Sequence, residues 1–237
     1  MNPAPADSAP LQGIVFLVDV DNTLLDNDRV VADLHEHLEV AFGAASAGRY
    51  WAIFEALRTE LGYADYLGAL QRYRSADEGG TPDSRRLMAM AGFLIDYPFA
   101  ERLYPRALEV LQRLGEFGTT VILTDGDVVF QPRKVQRSGL WDAVQGRVLV
   151  YVHKERMLDA VQCHYPARRY VVIDDKLRIL ATIKGLLRER VTTVFARQGH
   201  YALDAAGIAA YPPADITVGR IGDLADTDVA SLIGMPH

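Results

Sequence analysis

Cys163 is the single cysteine in 237 residues, so no internal disulfide and no multi-cysteine metal site can form. Such usage fits a reducing compartment. No apolar run reaches the ~18 residues that would suggest a membrane span. Positive charge is not in excess either: 25 basic against 31 acidic residues leave a net −6. That balance argues against a general nucleic-acid or anionic-membrane binder, while leaving room for a local basic pocket. The opening MNPAPADSAP has no basic start and no long apolar stretch, so it does not read as a signal peptide. Residues 1–10 read instead as a flexible tail. What is present is ordinary for a globular chain, 49% apolar and 24% charged, which excludes wholesale disorder and collagen-like repetition. The expectation is a soluble, cytoplasmic protein of one or two domains.

Short apolar runs rich in β-branched residues recur at Ile14-Val15-Phe16-Leu17-Val18, Thr120-Val121-Ile122-Leu123, Val148-Leu149-Val150-Tyr151-Val152, Tyr170-Val171-Val172-Ile173 and Val191-Thr192-Thr193-Val194-Phe195. Each reads as a strand buried on both faces, as in a parallel sheet. Ile216-Thr217-Val218 is a weaker sixth. Helical patterns lie between them. Pro105 opens one, with Leu108, Leu111 and Leu114 as its apolar face and Gly115 or Gly118 as its end. Another runs from Glu155 through Leu158 and Val161, and a third from Leu177 through Leu180, Ile183 and Leu187. Strands alternating with helices predict an α/β fold built on a doubly wound parallel sheet.

Residues 30–96 break that rhythm. Val30, Val31, Leu34, Leu38 and Ala41 fall at helical spacing, as do Trp51, Phe54, Leu57 and Leu61, then Tyr66, Leu67, Leu70 and Tyr73. A further helix through Arg86, Met90, Phe93 and Leu94 follows the turn-rich Asp77-Glu78-Gly79-Gly80-Thr81-Pro82. No strand pattern occurs there. The division expected is an inserted all-helical domain at 28–97 within an α/β core of 11–27 and 98–237.

The chemistry-bearing residues stand at strand ends. Asp19-Val20-Asp21-Asn22-Thr23 follows the first strand, and two carboxylates so close to a core need a cation or hydrogen bonds. Thr124-Asp125-Gly126 ends the second strand, His153-Lys154 follows the third, and Asp174-Asp175 ends the fourth. Singly, each is explained as well by a turn, a helix cap or a solvated lysine. In a parallel sheet, however, all four ends share one edge, which is where open α/β sheets bind ligands. Oxygen-only donors there point to a hard divalent cation, Mg²⁺ above all.

Taken in order, Asp19-Val20-Asp21-Asn22-Thr23, Thr124, Lys154 and Asp174-Asp175 resemble the four motifs of the haloacid-dehalogenase-like (HAD) hydrolase superfamily. The resemblance spans residues 13 to 200 and includes Leu103-Tyr104-Pro105-Arg106-Ala107-Leu108. It implies a Rossmann-like core, with residues 28–97 as the helical cap inserted after the first motif. The roughly 30 residues between Thr124 and Lys154 leave no room for the larger α/β cap of some relatives. The resemblance makes Asp19 a nucleophile that forms an aspartyl-phosphate and Asp21 the acid and then the base. Thr124 and the N–H of Asp125 would hold phosphoryl oxygens, and Lys154 would neutralise charge. Mg²⁺ would sit on Asp19, the backbone carbonyl of Asp21, Asp174 and Asp175. The implied activity is Mg²⁺-dependent hydrolysis of a small phosphorylated metabolite.

Asp21 separates family chemistries. Halide leaves without a proton and dehalogenases of the family lack an acid at this position, whereas an alkoxide leaving group benefits from one. A phosphonate-cleaving relative would need a Schiff-base lysine from the cap, and residues 30–96 contain no lysine. The alternatives are a sugar phosphomutase, which shares the motifs and excludes water, and a non-catalytic binding protein on the same scaffold. A homodimer stays open, because a cap this apolar could pair with another chain.

Other residues read as structural. His35 and His37 point to different helix faces, which makes a shared metal a poor expectation. Arg72 and Arg74 read as a solvent face, with contact to a substrate anion the lesser expectation. Tyr50, Trp51, Phe54, Tyr63 and Tyr66 read as core before substrate platform. Cys163 reads as a small core residue. Arg197-Gln198-Gly199-His200 reads as a turn without a catalytic role for His200.

Overall fold

The structure, a computed structural model, describes residues 12–75 and 84–232. The expected tail at 1–10 and the whole of the turn-rich segment at 77–82 therefore lie outside the described residues. Six strands form one parallel sheet: β1 (Gln12–Val18), β2 (Thr119–Asp125), β3 (Val148–Tyr151), β4 (Ala167–Asp174), β5 (Val191–Ala196) and β6 (Ile216–Val218). Their order is β3-β2-β1-β4-β5-β6, every neighbouring pair parallel. All six strands are legible as apolar runs, and the four inner ones are covered on both faces, which asks for apolar side chains on both. β3, expected to be buried likewise, is only half-buried because it forms one edge of the sheet, as β6 forms the other.

Among the described residues, the chain after β1 first builds a block of four helices, α1 (Asn27–Phe42), α2 (Ala44–Leu61), α3 (Tyr66–Ser75) and α4 (Ser84–Asp96), before the α-helix that leads into β2. Asp26 starts α1 by accepting a hydrogen bond from the Arg29 N–H at 2.9 Å, which satisfies one of the free donors of a helix start. Of the aromatics expected in the core, Tyr50, Phe54 and Tyr66 are buried, while Trp51 and Tyr63 are half-buried; Tyr73 is buried with them. The chain enters and leaves this block on adjacent segments. Leu25 and Leu103 form an antiparallel bridge, and Asp26 N–H donates to Arg102 O at 2.7 Å.

The remaining helices are α5 (Ala107–Gly115), α6 (Phe130–Arg137), α7 (Leu140–Ala143), α8 (Leu158–His164), α9 (Leu177–Leu187), α10 (Gly199–Leu203), α11 (Ala205–Ala209) and α12 (Val229–Leu232). They cover the sheet on two sides. Phe16 and Val18 join a core with Val110, Leu111 and Leu114 of α5, which continues into the helical block. Val15 and Leu17 point the other way, onto Leu177, Leu180 and Ile183 of α9 and Val161 of α8. This alternation is the strand period of two.

Three local expectations are corrected. Leu108 is 42% exposed; α5 turns Ala107, Val110, Leu111 and Leu114 inward instead, at the spacing of a single helical face. The helix expected from Glu155 is broken into a 3₁₀ turn at Lys154–Arg156 followed by α8, because Glu155 turns inward to pair with Arg178 at 2.7 Å. Cys163 is exposed rather than core: α8 buries Leu158 and Val161, and two residues on from Val161 the helix faces solvent.

Candidate active site

The chain runs from β1 to β2 and β3 on one side and crosses to β4 on the other. β1 and β4 therefore flank the switch point of the sheet, where ligands settle outside the strand carboxyl ends. Val18 and Ile173 are register partners, and Asp19 N–H donates to Ile173 O at 3.0 Å. That places Asp19 beside Asp174 at the end of the two central strands.

After Asp19 the backbone coils on itself. Val20 O accepts hydrogen bonds from Leu24 and Leu25 N–H at 2.9 Å each, while Asn22 sits at φ +61°, a conformation asparagine tolerates. The coil splays the two carboxylates apart. Asp19 faces inward, its Oδ1 2.5 Å from Lys154 Nζ and its Oδ2 accepting from Thr23 Oγ1 at 3.1 Å. Asp21 turns toward α6, where Lys134 Nζ donates to its Oδ1 at 2.6 Å and Gln131 Nε2 approaches its Oδ2 at 3.3 Å.

Lys154 is buried and bridges carboxylates. Its ammonium lies 2.7 Å from Asp174 Oδ2 as well as on Asp19, and its N–H donates to Asp125 Oδ1 at 2.7 Å. Burial opposes its charge, yet Asp174 and Asp19 outweigh that and hold it protonated above the ordinary lysine range. Burial pushes Asp125 up to about 6, against the pull of Lys154. Thr124 Oγ1 accepts from Gln131 Nε2 at 2.8 Å. The expected Asp19, Thr124, Asp125, Lys154, Asp174 and Asp175 thus lie on one edge, with Asp21 on its rim.

Asp19, Asp174 and Asp175 form a further unit, each offering a carboxylate oxygen within 4.8 Å of the others. Among the described residues, both oxygens of Asp175 are buried without a hydrogen-bond partner. Burial, and then the neighbouring Asp174, raise Asp175 well above the usual carboxylate range. A carboxylate buried without a donor, with two further carboxylate oxygens beside it, fits a hard cation such as Mg²⁺, which takes oxygen ligands. The side chain of Asp21 stands outside this triad, which leaves its backbone carbonyl as the ligand expected from that residue.

Two residues the sequence reading missed complete the site. Gln131 and Lys134 lie on the buried face of α6, and Asp127 braces the turn that leads into that helix by accepting from Val129 and Phe130 N–H at 2.8 and 2.7 Å. A lysine and a glutamine on a stripe otherwise made of Phe130 and Val135 were the available signal, since polar groups are buried only with partners. Gln198 was read as part of a turn. Its amide donates to Thr23 O at 2.7 Å and accepts from Ile221 N–H at 2.9 Å, which fixes the loop that carries Asp19.

A cavity of about 900 Å³ opens over this edge, between the helical block and the sheet. Asp21, Asp125, Gln131, Lys134 and Lys176 line its core side, and Trp51, Phe54, Tyr63 and Tyr66 line the helical side. Those aromatics therefore serve as wall as well as packing. Arg72 is absent from the lining and pairs with Glu60 at 2.7 Å on the surface, in keeping with a solvent face. His35 stacks on Trp51 and His37 on Phe93, so the two rings diverge. His200 lines the cavity with its Nδ1 2.5 Å from Asp28 Oδ1.

A model of the haloacid dehalogenase-like hydrolases matches residues 15–186. The chain belongs to that family. Among solved structures, a haloacid dehalogenase-like hydrolase from Burkholderia xenovorans LB400 is 65% identical, with a TM-score of 0.84 over 91% of this chain and 98% of that one. The L-2-haloacid dehalogenase of Xanthobacter autotrophicus is 19% identical with a TM-score of 0.58, over 90% and 96% of the two chains. A HAD-hydrolase of Bacillus subtilis, solved bound to magnesium, is 16% identical with a TM-score of 0.58, over 91% and 98%. The last two share the fold. No curated protein matches the sequence. Among the described residues, no helix is long and apolar enough to cross a membrane.

Proposed function

We propose that this HAD-like hydrolase is a phosphoric monoester hydrolase acting on a small phosphorylated metabolite, with the helical block at 28–97 as its cap. One observation carries the reading: Asp21 lines the cavity two residues after a buried, lysine-paired Asp19. A leaving alkoxide needs a proton and a leaving halide does not, so a carboxyl group at this place favours ester cleavage over dehalogenation.

In this reading a carboxylate oxygen of Asp19 attacks phosphorus while the bond from phosphorus to the leaving oxygen breaks, and Asp21 gives that oxygen its proton. A water then attacks the aspartyl-phosphate, Asp21 takes the proton back, and phosphate and the Asp19 carboxylate are released. Thr124 Oγ1 and Asp125 N–H receive phosphoryl oxygens, and Lys154 offsets the repulsion between Asp19 and the incoming dianion. Asp19, Asp174, Asp175 and the Asp21 carbonyl would hold Mg²⁺, which supplies charge neutralisation at the phosphoryl group.

The test is phosphate release from a panel of monoesters, with Mg²⁺ or EDTA, for the wild type and Asp19→Asn, alongside halide release from 2-haloalkanoates. Metal-dependent phosphate release that Asp19→Asn loses is the expected result. Halide release without phosphate release would overturn the reading, as would conversion of a sugar phosphate to its isomer with no free phosphate.

A further inference from the structure

Four cationic side chains of Lys and Arg line the cavity, and two of them close on a carboxylate at short range: Lys134 on Asp21 at 2.6 Å and Arg178 on Glu155 at 2.7 Å. Lys176 and Arg58 differ. Among the described residues, no carboxylate stands within ion-pair distance of the Lys176 ammonium; its contact is the face of the Tyr201 ring, 4.8 Å from the centroid. Arg58 reaches the same tyrosine from α2, Nη2 donating to the Tyr201 hydroxyl at 2.9 Å, and meets Glu55 only at 3.5 Å. One phenol ring therefore carries an ammonium on its face and a guanidinium on its hydroxyl, at the meeting of α9, α10 and the helical block.

Asp175, Asp19 and Asp174 hold the largely buried Lys176 charged from beyond contact distance, so its ammonium keeps its hydrogen-bond donors for a ligand, and a guanidinium is built to bind an oxyanion on two donors. The direct contacts to Asp19 and Asp21 are made by Lys154 and Lys134, which leaves the Lys176 ammonium turned to the cavity. The cavity is also far larger than a phosphoryl group needs, within the size range of sites for drug-sized ligands. We infer that Lys176 and Arg58, joined through Tyr201, form a second anion subsite, and that the substrates are phosphate monoesters whose leaving group carries a further oxyacid group, a carboxylate or a second phosphate. The inference rests on the phosphatase reading for its substrates, while the subsite itself is a matter of binding alone.

The measurement is titration calorimetry of the full chain, wild type, Lys176→Gln and Arg58→Gln, with phosphonates that cannot be hydrolysed. Alkylphosphonates are compared with carboxyalkylphosphonates and alkylene bisphosphonates of matched length, from two to five methylene groups. The wild type should bind one acid-tailed series about tenfold or more tighter than the alkyl series, as a charge-assisted contact implies. That ratio should collapse toward one in Lys176→Gln and fall in Arg58→Gln, whose exposed position guards against loss of folding. The tighter series identifies the tail as carboxylate or phosphate. Equal affinities in the wild type, or a ratio that both variants retain, would overturn the subsite. Discrimination in binding without phosphate release from any ester would leave the subsite standing and remove the hydrolase reading; release without discrimination would do the reverse.

Discussion

Lys134 places its ammonium 2.6 Å from Asp21 Oδ1 across 113 residues of sequence, and a second oxygen, Asn27 Oδ1, receives it at 3.0 Å. The lysine is 1% exposed while Asp21 keeps 25% of its side chain in contact with solvent. The pair is therefore unequal: losing the carboxylate strands a buried cation, whereas losing the lysine leaves an anion that water can reach.

Asp21→Asn is accordingly expected to destabilise the fold by about 3 kcal/mol, at the lower end of the cost of breaking a buried ion pair. Asp21→Asn combined with Lys134→Met should recover most of that loss, and neither protein should turn over substrate. Urea denaturation of the two checks it. A single variant as stable as the wild type would show that Lys134 does not depend on Asp21.

Asp175→Asn removes a carboxylate that is out of solvent and has no hydrogen-bond donor among the described residues. In EDTA this variant should melt above the wild type, because a buried charge beside Asp174 is gone. Saturating Mg²⁺ at about 100 times its Kd should stabilise the wild type by about 2.7 kcal/mol and the variant far less. Thermal melts with and without metal report both, and a metal-induced rise of equal size in the two proteins would remove Asp175 from the ligand set.

Gly199 lies at φ +75°, and a Cβ there would come within 2.5 Å of Asn22 Cβ. Gly199→Ala should cost about 2 kcal/mol or more, from left-handed strain added to the clash. It should also lower kcat, since the displaced residue adjoins Asp21. Full activity with full stability would mean the turn and the Asn22 loop are not in contact.

Asp215 ties β6 to β5 and α9. Its Oδ2 accepts from Lys184 Nζ and Thr193 N–H at 2.8 Å each and from Thr193 Oγ1 at 2.9 Å. Partial burial works to raise its pKa, but the bonds from Lys184 and Thr193 prevail and hold it below its ordinary 3.8. A lowered carboxylate contributes in full above the unfolded value and loses that contribution as pH falls through the folded one. Asp215→Ala should therefore melt below the wild type at neutral pH, by about 1–2 kcal/mol, with the gap closing below pH 3.8. A gap independent of pH would exclude the charge as its source.

The sheet and the reacting edge were readable because their causes are local. Doubly covered strands are solid apolar runs, and acidic residues at the ends of such runs are conspicuous. α6 escaped because Gln131 and Lys134 interrupt its apolar stripe, and their partners Asp21 and Thr124 come from the coil after β1 and from β2. Gln198 escaped for a similar reason, its three bonds being to backbone far away in sequence. Leu108 and Cys163 went astray because helical phase shifts with where a helix begins, and residue type alone does not mark the start. The subsite at Tyr201 was beyond reach, since it joins α2, α9 and α10 only once the helical block stands over the sheet.

The central place of β1 also governs how the protein comes into being. About 100 residues separate its end from the start of β2, and β4 follows later still. At the usual 5–20 residues per second, a ribosome takes roughly 5–20 s to deliver the first neighbour. Throughout that interval an apolar strand has both of its hydrogen-bonding edges open, which is a standing invitation to aggregate or to engage a chaperone. Refolding from denaturant should follow the same logic: helix content returns early, whereas competence at Asp19 returns only with the long-range pairing of β1 and β4.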